Sequence, residues 1–228
     1  MLSGMFVQYS HAIDVNVGDY TALPKGTNAG VFYYQHSRME GYYQNGEKTS
    51  AESKSDIGIA RLIHYTDIAG LRATPQIILP FGTVRHTQIG DTDLNNASGF
   101  ADPVIASAFW LINQPEQGSS GRYLAFTPFI YLPVGQYDRN DAVNLGENRF
   151  KYDLQLAWVQ PLYGKFAFEL YQDVIWYGDN DEAGKGDQTL SQATSYQTQF
   201  NLRYDLNSKQ RIAFGYAANY GGEQQLDG

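Results

Sequence analysis

The chain has 228 residues, including 18 Tyr, 12 Phe, 3 Trp and 23 Gly, with no Cys and a formal net charge of −8. This length suits one large domain, and no Ser/Gly/Pro-rich linker divides it. Without Cys there is neither a disulfide framework nor a thiolate metal site; the acidic balance with no basic run excludes a nucleic-acid partner; and no apolar run approaches the roughly 20 residues of a spanning helix. Residues 1–12, with small residues at Ser10-His11-Ala12, read as a signal remnant or a chain edge. Residues 13–27 are polar, and Pro24 discourages regular structure there.

From about Asn28 the chain falls into nine strand-like segments separated by Gly, Asn, Asp, Ser and Pro clusters. Segments one, two and four alternate weakly. In segment two the row Ile57, Ile59, Arg61, Ile63, Tyr65 carries a charge mid-strand, which assigns that row to a wet interior. Segment five sets Leu124, Phe126, Ile130 and Leu132 against Tyr123, Thr127, Phe129 and Tyr131. Segment six opposes Tyr152, Leu154, Leu156 and Trp158 to Lys151, Asp153, Gln155 and Ala157. Segment seven opposes Phe166, Phe168, Leu170, Val174 and Trp176 to Lys165, Ala167, Glu169, Tyr171 and Asp173. Segment eight is the cleanest, with Tyr196, Thr198, Phe200, Leu202 and Tyr204 against Gln197, Gln199, Asn201, Arg203 and Asp205. Segment nine follows the same period, Ile212, Phe214, Tyr216, Ala218 and Tyr220 facing away from Arg211, Ala213, Gly215, Ala217 and Asn219.

An apolar row ended by tyrosines and a polar row behind it are what a lipid-crossing strand needs. A soluble β-sandwich gives the same period with its apolar row turned inward, so loop lengths have to discriminate. Connections after segments two, six and eight are tight (67–70, 161–164, 206–209), and 113–121 is moderate. Those after segments one, three, five and seven are long: 41–53, 83–98, 135–147 and 178–188. This alternation predicts an all-β fold, a transmembrane antiparallel up-and-down β-barrel over residues 13–228, with its N-terminus in the periplasm. Nine strands cannot close such a barrel, because an open edge in lipid leaves backbone groups unpaired. The expectation is that C-terminal strands are missing from the sequence.

The residues expected to line the pore are Arg61, Arg72, Gln76, Tyr123, Phe129, Tyr131, Lys151, Asp153, Gln155, Lys165, Glu169, Tyr171, Asp173, Gln197, Gln199, Asn201, Arg203 and Arg211. Opposed charges across a narrow lumen focus a transverse field, and the aromatic residues offer stacking surface. The same residues could instead be an ion-pair network filling a small barrel. Residues 13–25 are expected to fold back into the lumen as a constriction. No catalytic group, cofactor or metal site is expected. His11, His36, His64 and His86 form no HxH or HExxH spacing. Ser107 with His64 or His86 is the alternative reading, a lipid-acting enzyme of the phospholipase type, but no GxSxG motif supports it. A sealed structural barrel is a third. The acidic loops 91–93 and 179–182 read as solvated tips, or as sites that meet surface lipopolysaccharide through divalent ions.

Specific words of sequence add to this. Tyr131-Leu132-Pro133-Val134-Gly135-Gln136-Tyr137-Asp138, followed by Asn144-Leu145-Gly146-Glu147-Asn148-Arg149, resembles the "MetA-pathway of phenol degradation" family of outer-membrane channel proteins. Ile13-Asp14-Val15, Gly18-Asp19-Tyr20, Tyr33-Tyr34-Gln35-His36, Leu79-Pro80-Phe81-Gly82, Gly99-Phe100-Ala101-Asp102-Pro103, Phe109-Trp110-Leu111 and Gly221-Gly222-Glu223 agree in order. The resemblance implies a twelve-stranded monomeric barrel of the bacterial outer membrane, surrounded by lipid and lipopolysaccharide and often associated with breakdown of aromatic or other hydrophobic compounds. The expected function is a channel for passive diffusion of small hydrophobic or aromatic solutes, with no cofactor and no catalysis.

Overall fold

The computed structural model describes residues 15–44, 47–184, 188–207 and 210–226. The expectation for residues 1–12, including His11, lies outside the described residues, as does Ile13-Asp14.

Among the described residues nine long strands carry the wall: β1 (Asn28–Gln44), β2 (Glu47–His64), β3 (Leu71–Ile89), β4 (Val104–Gln114), β5 (Arg122–Tyr131), β6 (Lys151–Pro161), β7 (Phe166–Tyr177), β8 (Ser195–Asp205) and β9 (Arg211–Gly221). Each pairs antiparallel with its predecessor, giving an all-β meander curled into a half-barrel. Among the described residues no pairing joins β1 to β9.

The two faces of the sheet follow the period of the sequence. On β6, Lys151, Asp153, Gln155, Ala157 and Val159 are buried, while Tyr152, Leu154, Leu156 and Trp158 are exposed. On β7, Ala167, Glu169, Tyr171, Asp173 and Ile175 are buried, and Phe166 and Trp176 are exposed. Charge faces inward and hydrocarbon outward, the reverse of a sandwich, and such a surface is stable only against lipid. Cross-strand ring pairs tie the outer face together: Phe32 with Phe81 (6.3 Å), Phe81 with Phe100 (5.9 Å), Phe109 with Phe126 (5.1 Å) and Tyr196 with Tyr220 (5.3 Å). Gly58 makes room for the first of these, since a Cβ there would stand 2.9 Å from the Phe81 ring.

Three of the four connections expected to be long loops are partly strand. β1 and β2 stay paired through Tyr43 and Lys48, with one register shift between Glu40 and Tyr42, so 41–53 is mostly ladder. β3 runs to Ile89, and Thr92–Asp93 and Ala97–Phe100 fold back to pair with it. Asn180–Ala183 joins Gln188–Gln192 and Gln224–Leu226 in a separate three-stranded sheet. Backbone pairing drives all three. Where both faces of a ribbon are polar, the ladder persists while the apolar period that reveals a strand in sequence is absent.

Residues 135–147 do remain irregular and are clamped at the loop-rich end of the half-barrel. The Asp102 carboxylate accepts hydrogen bonds from the Gly135 N–H (2.8 Å) and the Glu147 N–H (2.7 Å). A Cβ on Gly135 would lie 2.6 Å from the Ala101 carbonyl carbon and the Asp102 nitrogen, so only glycine permits this approach.

Candidate functional site

The inward face is built from cross-strand rungs. Thr127, Gln155, Asp173 and Gln197 lie opposite one another on β5, β6, β7 and β8. One step toward the short turns, Ala125, Ala157, Tyr171 and Gln199 form the next inward rung, and Tyr123, Val159, Glu169 and Asn201 the one beyond it. Because side chains alternate, every inward rung brings residues far apart in sequence to one level of the lumen.

Tyr123, Phe129, Tyr131, Lys151, Asp153, Gln155, Glu169, Tyr171, Asp173, Gln197, Asn201, Arg203 and Gln76 are all buried on this face. Arg61 is largely buried and donates to the Gln76 amide oxygen (2.6 Å). Gln199 is half-buried. Arg72 stands at the turn end, bound to Asp67 at 2.9 Å. Arg211 is more exposed and approaches Asp205 at 4.0 Å. Lys165 departs from the expectation: β7 starts only at Phe166, so Lys165 sits in the exposed turn and donates to the Leu206 carbonyl (2.9 Å). Period-two reading carried the inward row one residue past the end of the ladder.

Charges pair in layers. At the loop-rich end Glu147 accepts from Arg149 (2.8 Å) and Lys151 (2.9 Å), Arg149 covers the Tyr177 ring and Lys151 the Tyr131 ring. Burial pushes the Glu147 carboxyl up, but Lys151 and Arg149 together outweigh it and hold the group below its ordinary range. Nearer the turns, Arg203 pairs with Glu169, whose other oxygen accepts from the Tyr171 hydroxyl at 2.6 Å.

Residues 15–27 cross this face as a strap. Val15 exchanges two hydrogen bonds with the Gln199 amide, and the Gly18 N–H donates to Glu169 at 3.2 Å. Asp19 meets Arg61 at 3.5 Å. The Tyr20 hydroxyl reaches Thr127 (2.6 Å) and Gln155 (2.5 Å), and the Trp110 indole donates to the Tyr20 carbonyl (3.1 Å). Leu23 accepts from Arg72, Lys25 pairs with Asp67 (3.2 Å), and Gly26 and Thr27 bond the backbone of Tyr65. The strap therefore lies one rung from mid-depth at Val15, reaches mid-depth at Tyr20 and leaves at the turn end beside β1. The sequence reading named Asp19, Tyr20 and Trp110 only within the motifs Gly18-Asp19-Tyr20 and Phe109-Trp110-Leu111 and did not count them among the pore-lining residues; a lone aromatic residue in an otherwise polar lead-in was the available signal.

Ser107 lies opposite Pro75 with its hydroxyl buried and without a hydrogen-bond partner, while the His64 ring bonds Asn28 at 2.7 Å, so among the described residues Ser107 bonds neither His64 nor His86. Among the described residues no three His, Cys, Asp or Glu side chains gather to hold a metal.

Comparison with known proteins adds to this geometry. The profile of the family described as "MetA-pathway of phenol degradation" matches residues 26–228. The crystal structure of an outer membrane channel from Pseudomonas putida F1 superposes with a TM-score of 0.86 at 38% identity, over 94% of this chain and 79% of that one. No curated protein matches.

Proposed function

We propose, given that the chain belongs to the "MetA-pathway of phenol degradation" family, that it is an outer-membrane channel through which small hydrophobic or aromatic solutes diffuse passively. The observation that carries this reading is the division of the wall. Lys151, Asp153, Gln155, Glu169 and Asp173 are buried inside, and Leu154, Leu156 and Trp158 stand outside. A soluble binding protein has no use for that arrangement, whereas a membrane conduit needs both sides of it. Similarity to a solved outer membrane channel supports the same reading.

The mechanism requires no energy source. A solute enters at the loop-rich end past the Glu147–Arg149–Lys151 cluster, moves along the aromatic and amide rungs, and meets the strap at mid-depth. Paired charges keep the lumen polar without strong net attraction for either ion sign, while Tyr123, Phe129, Tyr131 and Tyr171 supply surface for rings. The protein acts as a monomer with lipid around its belt. The exposed polar cluster in which Asp56 holds His36 (2.8 Å) and Arg85 (2.7 Å) supports a reading of contact with lipopolysaccharide headgroups.

Deleting residues 15–24 is expected to raise single-channel conductance in planar bilayers about threefold or more, because the strap crosses the lumen at its middle. It should also speed entry of phenol-sized solutes into proteoliposomes. Conductance and entry both at the level of empty membranes, before and after the deletion, would end the channel reading in favour of a sealed barrel.

A further inference from the structure

The strap holds one side chain in a setting that its anchoring does not require. The Tyr20 ring is buried at mid-depth, 6.2 Å from the Trp110 ring and 5.7 Å from the Tyr171 ring. Ala125 and Ala157, both fully buried in the same cluster, leave the room that a ring needs. The hydroxyl is satisfied in both of its capacities: it donates to Gln155 Oε1 at 2.5 Å and accepts from Thr127 Oγ1 at 2.6 Å. Gln155 cannot turn over to offer its NH2 group instead, because Nε2 already donates to the buried Asp173 carboxylate at 2.7 Å. A carbonyl oxygen is therefore fixed where a phenol proton arrives, with an aromatic wall behind it. Such a site accepts a phenol, rejects the methyl ether for want of a donor, and repels a benzoate through Asp173.

The remaining anchors of the strap, Val15 on Gln199, Gly18 on Glu169 and Asp19 on Arg61, are formed without Tyr20. The ring is thus separable from the strap's attachment.

We infer that the Tyr20 pocket is a phenol-binding subsite of the lumen, filled by the strap's own tyrosine and opened to a phenolic solute that displaces it. This deepens the channel reading and rests on it. The strap becomes a competitor in cis: a solute that resembles Tyr20 loosens the barrier it meets, whereas solutes without a phenolic hydroxyl do not. Occupancy by the tethered ring lowers the apparent affinity for free phenols by the fraction of time the pocket is filled.

The test uses the full chain in proteoliposomes, with 4-fluorophenol and 4-fluoroanisole as probes followed by 19F NMR, and hydrogen exchange of the strap amides in parallel. Wild type is expected to bind 4-fluorophenol saturably and, on binding, to lose protection at residues 18–22. Tyr20→Ala should bind it about tenfold more tightly, Gln155→Leu in that background should remove the binding, and 4-fluoroanisole should bind at least about tenfold more weakly. Binding by Tyr20→Ala without any binding or strap release in wild type overturns the proposal, because any deleted ring leaves a cavity that takes up its own shape. Equal binding of the two probes overturns it as well. Phenol entry that persists with no saturable binding removes the subsite and leaves the channel standing. Absence of entry even after deletion of residues 15–24 removes the channel whatever the probes bind.

Discussion

Replacing Glu169 with Ala is expected to destabilise the protein by at most about 3–5 kcal/mol, because the buried Arg203 guanidinium loses one of its two carboxylates and keeps only Asp205, at 3.1 Å. Arg203 and Glu169 are nearly inaccessible, at 3% and 0% side-chain exposure, so water cannot solvate the guanidinium that remains. Two further groups lose their acceptor at the same time, the Tyr171 hydroxyl and the Gly18 N–H of the strap. Removing both charges together, Glu169→Leu with Arg203→Met, should recover only part of the loss: a buried pair replaced by apolar groups of like volume is often neutral, but Tyr171, Gly18 and Asp205 still lose their partner there. Denaturant unfolding in lipid vesicles measures both variants. A single variant within about 1 kcal/mol of wild type would mean that Asp205 alone satisfies Arg203, or that water reaches the guanidinium freely at this level of the lumen.

On the other face, Leu156→Arg should cost about 2–4 kcal/mol, the penalty for a cation at the bilayer midplane on the lipid side of a barrel strand. Leu156 is central in β6, 47% exposed, and lies between the cross-strand neighbours Phe126 and Gln172. The penalty depends on depth, which supplies the control. Tyr163 is 96% exposed in the turn that follows β6, beyond the end of the strand, and Tyr163→Arg there should cost no more than about 1 kcal/mol. Equal small costs at both positions would show that the Leu156 row faces water.

The sequence was legible wherever a strand had one wet side and one oily side. In β6, β7 and β8 the alternation alone assigned Lys151, Asp153, Glu169, Asp173 and Arg203 to the inside, where the structure buries them. The isoleucine-rich row of β2 was assigned inward because Arg61 within it cannot face lipid, and Ile59, Ile63 and Tyr65 pack with the buried clusters. Legibility failed at the ends of strands and in ribbons with two polar faces. Lys165 fell in the turn rather than in the row, and the hairpins of β1 with β2 and of β3 with Ala97–Phe100 run on where side chains carry no period.

What the sequence determined by itself is therefore local: which residues share a face, which face is oily, and where the tight turns lie, all consequences of a two-residue repeat. What the tertiary structure decided is convergence. Tyr20 meets Thr127 across 107 residues of chain and Gln155 across 135, a meeting that depends on the curl of the whole sheet and on a strap with no repeat of its own. Period places a side chain on a side of the wall, but only the curvature of the wall decides what stands opposite it.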